Sequence, residues 1–291
     1  MRRGIVYATL AYIFWGVFPI YIKALKSVPA LEFLAHRMVW SLGVVLVLLL
    51  AARRWSWLRD ARREPRILIW FVGSALAVTL NWGLYIWAVN AGHIIDTSLG
   101  YYINPLVNVL IGAIFLHERL RPGQWFAVGL AALGVSWLTW QAGQLPWISL
   151  TLALTFATYG LLRKMASLGS LEGLAVETAL LFPFALSYLL WLIAHDESAF
   201  VAGPASTQWL LVAAGPVTAI PLLLFAGGAR RIPFATLGVL QYVAPTLQLL
   251  LGIGVYHEPF AAAKLVGYVA IWIALIIFTG EGLWSALRAH Q

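Results

Sequence analysis

One pattern occurs twice in this chain, first as Pro105…Gly112…His117-Glu118 and, 140 residues later, as Pro245…Gly252…His257-Glu258. The same offset relates Tyr102 to Tyr242 and Glu32 to Glu172. Each copy runs through an apolar segment and ends shortly before another apolar segment begins. The chain is therefore predicted to be a duplication, with residues 1–143 forming one unit and residues 144–291 forming the second.

The composition indicates a membrane protein. Of the 291 residues, 62% are hydrophobic and only 10% are charged, whereas a soluble domain carries about 25% charged residues. Apolar runs of about 20 residues recur along the chain, and each is long enough to cross a bilayer as a helix. Helices are expected because backbone groups in lipid must be paired within their own segment. The predicted fold class is an all-α polytopic protein in a lipid bilayer.

Hydropathy and the turn-forming prolines and glycines predict ten transmembrane helices, five in each unit. Their approximate ranges are 4–25, 31–52, 67–92, 94–117, 122–140, 146–165, 171–194, 208–229, 234–257 and 261–286.

The distribution of basic residues predicts the orientation. With the N-terminus in the cytoplasm, fifteen arginines and lysines fall in cytoplasmic segments and three (Lys23, Lys26 and Lys264) fall outside, as the positive-inside rule requires. This bias also explains the net charge of +8 without nucleic acid as a partner. Because five is an odd number, the two units insert in opposite senses, and both termini are cytoplasmic. Two inverted five-helix repeats are typical of secondary transporters.

The sequence offers little for catalysis, cofactors or metals. The chain has no cysteine, which excludes disulfides, thiolate catalysis and cysteine-ligated metals. His117-Glu118 does not begin an HExxH zinc motif, because position 121 is arginine. We therefore expect no catalytic residue, no metal and no cofactor.

Arg37 is the main candidate for a functional residue, because it is a charged residue within the second predicted span. Such a residue costs about 2.5–3.5 kcal/mol on insertion scales and usually faces a cavity or a partner. We interpret it as a contact for an anion or carboxylate of the substrate. Two alternatives remain: Arg37 could reach to the outer interface, or it could pair with Glu32.

Two further ionisable residues are candidates. His36 shares a helical face with Glu32 and Trp40, so it could couple proton movement to transport or serve only as a hydrogen-bonded structural residue. Glu177 holds the repeat position equivalent to Arg37. The two could bind opposite ends of a zwitterion, Glu177 could carry a proton, or Glu177 could stabilise the fold by pairing near the cytoplasmic end of its span.

Uncharged polar groups concentrate in the third and fourth spans and recur in the ninth. They either line a cavity or hold helices together, and we favour the cavity. With two deep tryptophans added, the predicted lining comprises Trp15, Trp40, Asn81, Tyr85, Tyr101, Asn104, Asn108, Gln241 and Tyr242. Pro105 and Pro245 each remove a backbone hydrogen bond and are predicted to be hinges.

Several motifs together resemble a known family. They are Tyr12-x-x-Trp15-Gly16, Glu32-x-x-x-His36-Arg37-x-x-Trp40-Ser41, SLGYYINPLVN at residues 98–108, and Gln241-Tyr242…Pro245-Thr246-Leu247. The chain resembles, over essentially its whole length, the EamA family of the drug/metabolite transporter superfamily, and within it the RarD-type proteins. The resemblance implies ten helices around a central cavity, alternating access, and a permease in the bacterial inner membrane. It supplies no substrate.

We interpret the chain as a secondary transporter of a small polar or amphipathic organic metabolite, and we favour export over import. A proton is the candidate coupling ion, and the sequence leaves the oligomeric state open. The alternative is an intramembrane enzyme acting on a lipid-linked substrate, although the carboxylates are few and scattered. A receptor or scaffold that transports nothing is a third, weaker option.

Overall fold

Helices form the regular structure of this protein. The computed structural model describes residues 2–53, 55, 66–115, 121–165, 168–229, 231–232 and 240–288. These ranges contain eleven helices and no strand. In chain order the helices are α1 (Arg2–Ala24), α2 (Ala30–Ala52), α3 (Arg66–Asn90), α4 (Ile94–Phe115), α5 (Pro122–Ala142), α6 (Trp147–Met165), α7 (Ser170–Ala194), α8 (Ala199–Ala202), α9 (Ala205–Ala229), α10 (Val243–Gly254) and α11 (Ala262–Arg288).

Each of the ten predicted ranges contains one long helix, and most bounds agree within a few residues. Two features differ from the prediction. The short helix α8 lies in the segment 195–207, where Ser198 caps it by accepting a hydrogen bond from the Val201 amide. The ninth predicted range, 234–257, is interrupted: Leu240 and Gln241 are helical, Tyr242 is a turn residue, and α10 begins at Val243, while the predicted start at 234 lies outside the described residues.

The composition of the helices shows a multi-pass membrane protein. Among the described residues, five helical segments are long and apolar enough to cross a bilayer: Arg3–Ala24, Ala30–Ala52, Ile69–Asn90, Leu171–Ala194 and Ala205–Phe225. Large apolar side chains also project outward elsewhere, including Leu133 at 68% exposure and Ile276 at 71%. Lipid is the solvent that such a surface requires.

The buried apolar side chains form two main cores, and each combines helices from both halves of the chain. The larger core is built mainly by α1, α2 and α3 together with α6, α7 and α9. The second is built mainly by α4 and α5 together with α10 and α11. The first three helices of each half therefore share one core, and the last two share the other.

The helix contacts follow the 140-residue offset, which relates α1–α5 in order to α6, α7, α9, α10 and α11. Three large contacts join counterparts directly, namely α2 with α7, α4 with α10 and α5 with α11. The others come in matched sets: α1 packs on α9 as α6 packs on α3, and α1 packs on α10 as α6 packs on α4.

The two predicted hinge prolines have different surroundings. Pro105 lies in the middle of α4, which continues through it. Pro245 is the third residue of α10, and the chain is helical at Leu240 and Gln241 before the turn at Tyr242. Since proline has no amide hydrogen, it cannot bond to the carbonyl of Gln241, four residues earlier. The interruption therefore falls where Pro245 removes a helical hydrogen bond.

Close packing of α5 on α11 gives the first testable prediction. A methyl group at Gly267 would lie 2.8 Å from the Gly134 carbonyl oxygen and 2.5 Å from Leu138 Cγ, whereas one at Gly129 would meet nothing within 4 Å. Gly267→Ala should therefore destabilise the protein by about 1–3 kcal/mol through overpacking, and Gly129→Ala should not. Thermal unfolding of both variants in detergent tests this. Equal melting temperatures for the two would contradict the packing described.

Candidate functional site

Arg37 lies at the junction of helices from both halves. Its Nε donates a 2.8 Å hydrogen bond to Thr218 Oγ1 on α9. The guanidinium carbon lies 3.9 Å from the centre of the Trp82 ring on α3 and 5.0 Å from that of the Phe18 ring on α1. These contacts are cation–π interactions, which strengthen when the cation leaves water. Arg37 is only 5% exposed.

No carboxylate neutralises Arg37 within the described part of the chain, where the ion pairs that form involve other residues. Glu32, the partner that the sequence suggested, is used elsewhere. It accepts hydrogen bonds from Ser198 Oγ at 3.2 Å and from the amides of Ala199 and Phe200 at 3.1 and 3.2 Å. Arg37 Nη1 is buried and has no hydrogen-bond partner among the described residues. The pairing with Glu32 that was considered as an alternative is not present.

Three tyrosines lie near the guanidinium: Tyr21, Tyr85 and Tyr101. The Tyr21 hydroxyl donates to the carbonyl of Leu210. The Tyr101 hydroxyl is 3.5 Å from Asn81 Oδ1. The Tyr85 hydroxyl is buried, and none of the described residues bonds to it.

Asn81 anchors this group to α6. Its Nδ2 donates to the Leu152 carbonyl and to Thr155 Oγ1, both at 2.9 Å. The Tyr85 and Tyr101 rings meet edge to face, with their centres 5.7 Å apart. The structure therefore brings together four of the predicted lining residues, Arg37, Asn81, Tyr85 and Tyr101. We call these four the Arg37 cluster.

His36 and Trp40 form a separate contact. Trp40 Nε1 donates to His36 Nδ1 at 3.3 Å, and His36 Nε2 is 3.9 Å from Glu32 Oε1. The His36 ring packs against Phe200, with centres 5.0 Å apart. These contacts join α2 to α8, on a different face of α2 from that of Arg37.

A third group of predicted residues lies around α1, α4 and α10. The Trp15 ring contacts Tyr12 and Phe225, and its carbonyl accepts a hydrogen bond from Gln248. The Tyr242 ring stacks on Tyr102 with centres 6.4 Å apart. Among the other predicted residues, Asn104 is buried, Gln241 is half-buried, and the Asn108 side chain lies outside the described part of the chain.

Glu177 is engaged in an internal pair. It accepts a 2.6 Å hydrogen bond from Ser74 Oγ on α3, and it lies 3.5 Å from the Tyr159 hydroxyl and 3.7 Å from Arg163 Nε on α6. Gly173 leaves room for this pair, because a methyl group there would overlap Arg163 Nη1 at 1.5 Å. Glu177 shares no partner with Arg37 among the described contacts.

The sequence analysis did not identify Thr218, Ser74, Tyr159 or Arg163 as partners of the buried charges. Thr218 and Ser74 are hydroxyl residues on α9 and α3, which are repeat counterparts. Thr218 on α9 meets Arg37 on α2, and Ser74 on α3 meets Glu177 on α7, so each hydroxyl meets an ionisable residue of the other half. Neither hydroxyl stands out in the sequence, because the third span also contains Thr79 and only the contacts with the charged residues distinguish Thr218 and Ser74. Among the described residues, no three His, Cys, Asp or Glu side chains are grouped to hold a metal ion.

Residues 2–140 match the EamA-like transporter family. Protein RarD of Streptomyces exfoliatus is 49% identical over 289 residues, which cover 99% of this chain and 92% of that protein. The chain belongs to the RarD group of the EamA-like transporter family. An uncharacterized transporter of Pseudomonas aeruginosa is 48% identical over 290 residues, which cover 99% of this chain and 96% of that protein.

The fold also matches a solved crystal structure with a TM-score of 0.61 at 20% sequence identity, covering 95% of this chain and 96% of that chain. Family membership confirms the resemblance noted from the motifs. It assigns the chain to a family of membrane permeases of the drug/metabolite transporter type.

The contrast between two buried tyrosines gives the second prediction. Tyr85→Phe removes a hydroxyl that has no described partner and keeps the ring contacts with Phe18 and Tyr101. It should leave the melting temperature of the ligand-free protein unchanged or raise it. Tyr21→Phe is the matched control and should destabilise the protein by about 0.5–1.5 kcal/mol, because the hydrogen bond from its hydroxyl to the Leu210 carbonyl is lost. A larger loss in Tyr85→Phe than in Tyr21→Phe would show that Tyr85 has a structural partner.

Proposed function

We propose that this permease is a secondary transporter of the bacterial inner membrane, with both termini in the cytoplasm. It moves a small polar or amphipathic organic metabolite by alternating access, with export as the favoured direction. The observation that carries the proposal is the buried, unneutralised Arg37 at the place where α1, α2 and α3 meet α9. An ionisable residue in a membrane bundle usually marks a substrate or ion pathway.

The helix contacts support an inverted repeat of two five-helix units. Three counterpart pairs pack on each other, and the contacts of α1 with α9 and α10 match those of α6 with α3 and α4. A twofold relation between the halves accounts for this pattern. In transporters with such repeats, the substrate site lies between the halves near the middle of the membrane.

A contact between the halves near one end of the bundle supports a gate. Glu258 accepts hydrogen bonds from the amides of Ile94 and Ile95, at 2.9 and 3.0 Å, at the start of α4. A carboxylate at a helix N-terminus is stabilised by the helix dipole. Its repeat counterpart, Glu118, lies outside the described residues. In our proposal Glu258 holds one side closed, and bending near Pro105 and Pro245 accompanies opening.

His36 is the candidate for proton coupling in this scheme. It lies beside Glu32, which ties α2 to the start of α8. Protonation of His36 would change its interactions with both Glu32 and Trp40. A change in the α2–α8 contact could then accompany the opening of the bundle.

Flux through proteoliposomes tests the proposed function. Ligands are first identified by thermal shift of the purified protein against amino acids, vitamins and antibiotics, and their flux is then followed under an imposed pH gradient. Arg37→Ala should abolish flux without loss of membrane insertion, whereas Arg3→Ala, which removes an exposed arginine, should transport normally. Wild-type protein should return its ligand chemically unchanged.

Full flux by correctly inserted Arg37→Ala would remove Arg37 from the substrate site. Binding without flux for every ligand found would contradict the transporter assignment. Chemical conversion of the ligand would instead favour the intramembrane enzyme.

A further inference from the structure

We propose that the Arg37 cluster binds the carboxylate of an organic anion with an aromatic or apolar body. The inference rests on the proposed function and narrows the substrate class of the same site. It excludes a zwitterion held between Arg37 and Glu177.

Two hydrogen-bond donors in the cluster are free for a ligand. Arg37 Nη1 and the Tyr85 hydroxyl are both buried and have no partner among the described residues. Arg37 is 5% exposed and Tyr85 is 3% exposed. A buried donor without a partner is costly, and both residues pack on the Phe18 ring, so we infer that a ligand completes the site. A carboxylate is acceptor-only and can take a hydrogen bond from both donors.

The charge balance favours an anion. Arg37 is held by one neutral hydroxyl and two aromatic faces, with no carboxylate paired to it in the described part of the chain. A ligand carboxylate would neutralise this buried charge and make charge-assisted hydrogen bonds. An ammonium group at the same place would be repelled by the guanidinium.

The surroundings of the two donors favour an aromatic or apolar body. Phe18 stacks on the Tyr85 ring with centres 6.2 Å apart, and Trp82 covers the guanidinium. Near Arg37, Thr218 Oγ1 already accepts from the guanidinium and the Tyr21 hydroxyl already donates to the Leu210 carbonyl. A ligand that hydrogen-bonds through its carboxylate would therefore meet mainly aromatic rings with the rest of its surface.

Glu177 is not free to bind the ammonium group of a zwitterion. Its carboxylate is already bound by Ser74, Tyr159 and Arg163. An ammonium group would have to displace Arg163, a permanently charged group, from a place that Gly173 leaves open for it. The two opposite charges at equivalent repeat positions therefore have different roles. Glu177 stabilises the fold, whereas Arg37 is available to bind a ligand.

A set of matched probes tests the proposal. 3-Phenylpropionate, 3-phenylpropanamide, phenethylamine and phenylalanine present one ring with an anionic, neutral, cationic or zwitterionic end. Calorimetric titration of the purified protein should show binding of the propionate at least about tenfold tighter than that of the other three. The preference should disappear in Arg37→Gln, remain in Glu177→Gln, and weaken in Tyr85→Phe.

Arg37→Lys is the control for loss of binding that results from misfolding. It keeps the charge but loses the planar guanidinium, so it should retain a reduced preference for the propionate over the amide. Equal or tighter binding of the amide, the amine or phenylalanine, an unchanged preference in Arg37→Gln, or no binding of any probe at millimolar concentration would overturn the proposal. Flux of unrelated ligands through proteoliposomes would still support the transporter assignment in each of those cases, so the two claims fail separately.

Discussion

Because α2 lies against α7, α4 against α10 and α5 against α11, both apolar cores in the described part of the chain draw on both halves. Lipid tails are as apolar as the side chains themselves, so the hydrophobic effect does not hold transmembrane helices together. Close packing and polar contacts must do so instead. Gly134 and Gly267 allow close approach of α5 and α11, and Asn81 ties α3 to the α6 backbone. These contacts between the halves determine where the buried charges lie.

The two buried charges, Arg37 and Glu177, have different partners although they lie at equivalent positions of the two halves. Each bonds to a hydroxyl of the other half, Arg37 to Thr218 on α9 and Glu177 to Ser74 on α3. Glu177 also has Arg163 as its counter-charge, whereas Arg37 has aromatic faces in place of an acid. A buried charge is costly when it lacks a partner. The halves therefore share an architecture but differ in chemistry, and the unpaired charge marks the side where a ligand is expected.

Much of the fold could be predicted from the sequence because its main signals are long and periodic. Apolar runs located the helices, and the offset of 140 residues relates α2, α4 and α5 to the helices they pack on, α7, α10 and α11. The sequence marked Pro105 and Pro245 alike as hinges, and only the packing shows that α4 continues through Pro105 whereas a turn at Tyr242 precedes α10. The short helix α8 was missed because four residues give no periodic signal.

The candidate site could be predicted only in part. Arg37, Asn81, Tyr85 and Tyr101 stood out as polar groups within spans, and they lie together. Trp15, Gln241 and Tyr242 lie in a separate group. This separation depends on the angles at which the helices pack, and a local sequence pattern does not predict those angles. Thr218 was missed because a single threonine in an apolar helix is common, and only its contact with Arg37 distinguishes it.

Site-directed labelling of the inverted repeat tests this account most directly. The chain has no cysteine, so Arg121→Cys and Ala261→Cys place single thiols at exposed, equivalent positions of the two units. A membrane-impermeant maleimide applied to intact cells should label Ala261→Cys at once and Arg121→Cys only after permeabilisation. Labelling of both thiols from the same side would contradict opposed units, and with them a shared site reached alternately from the two faces.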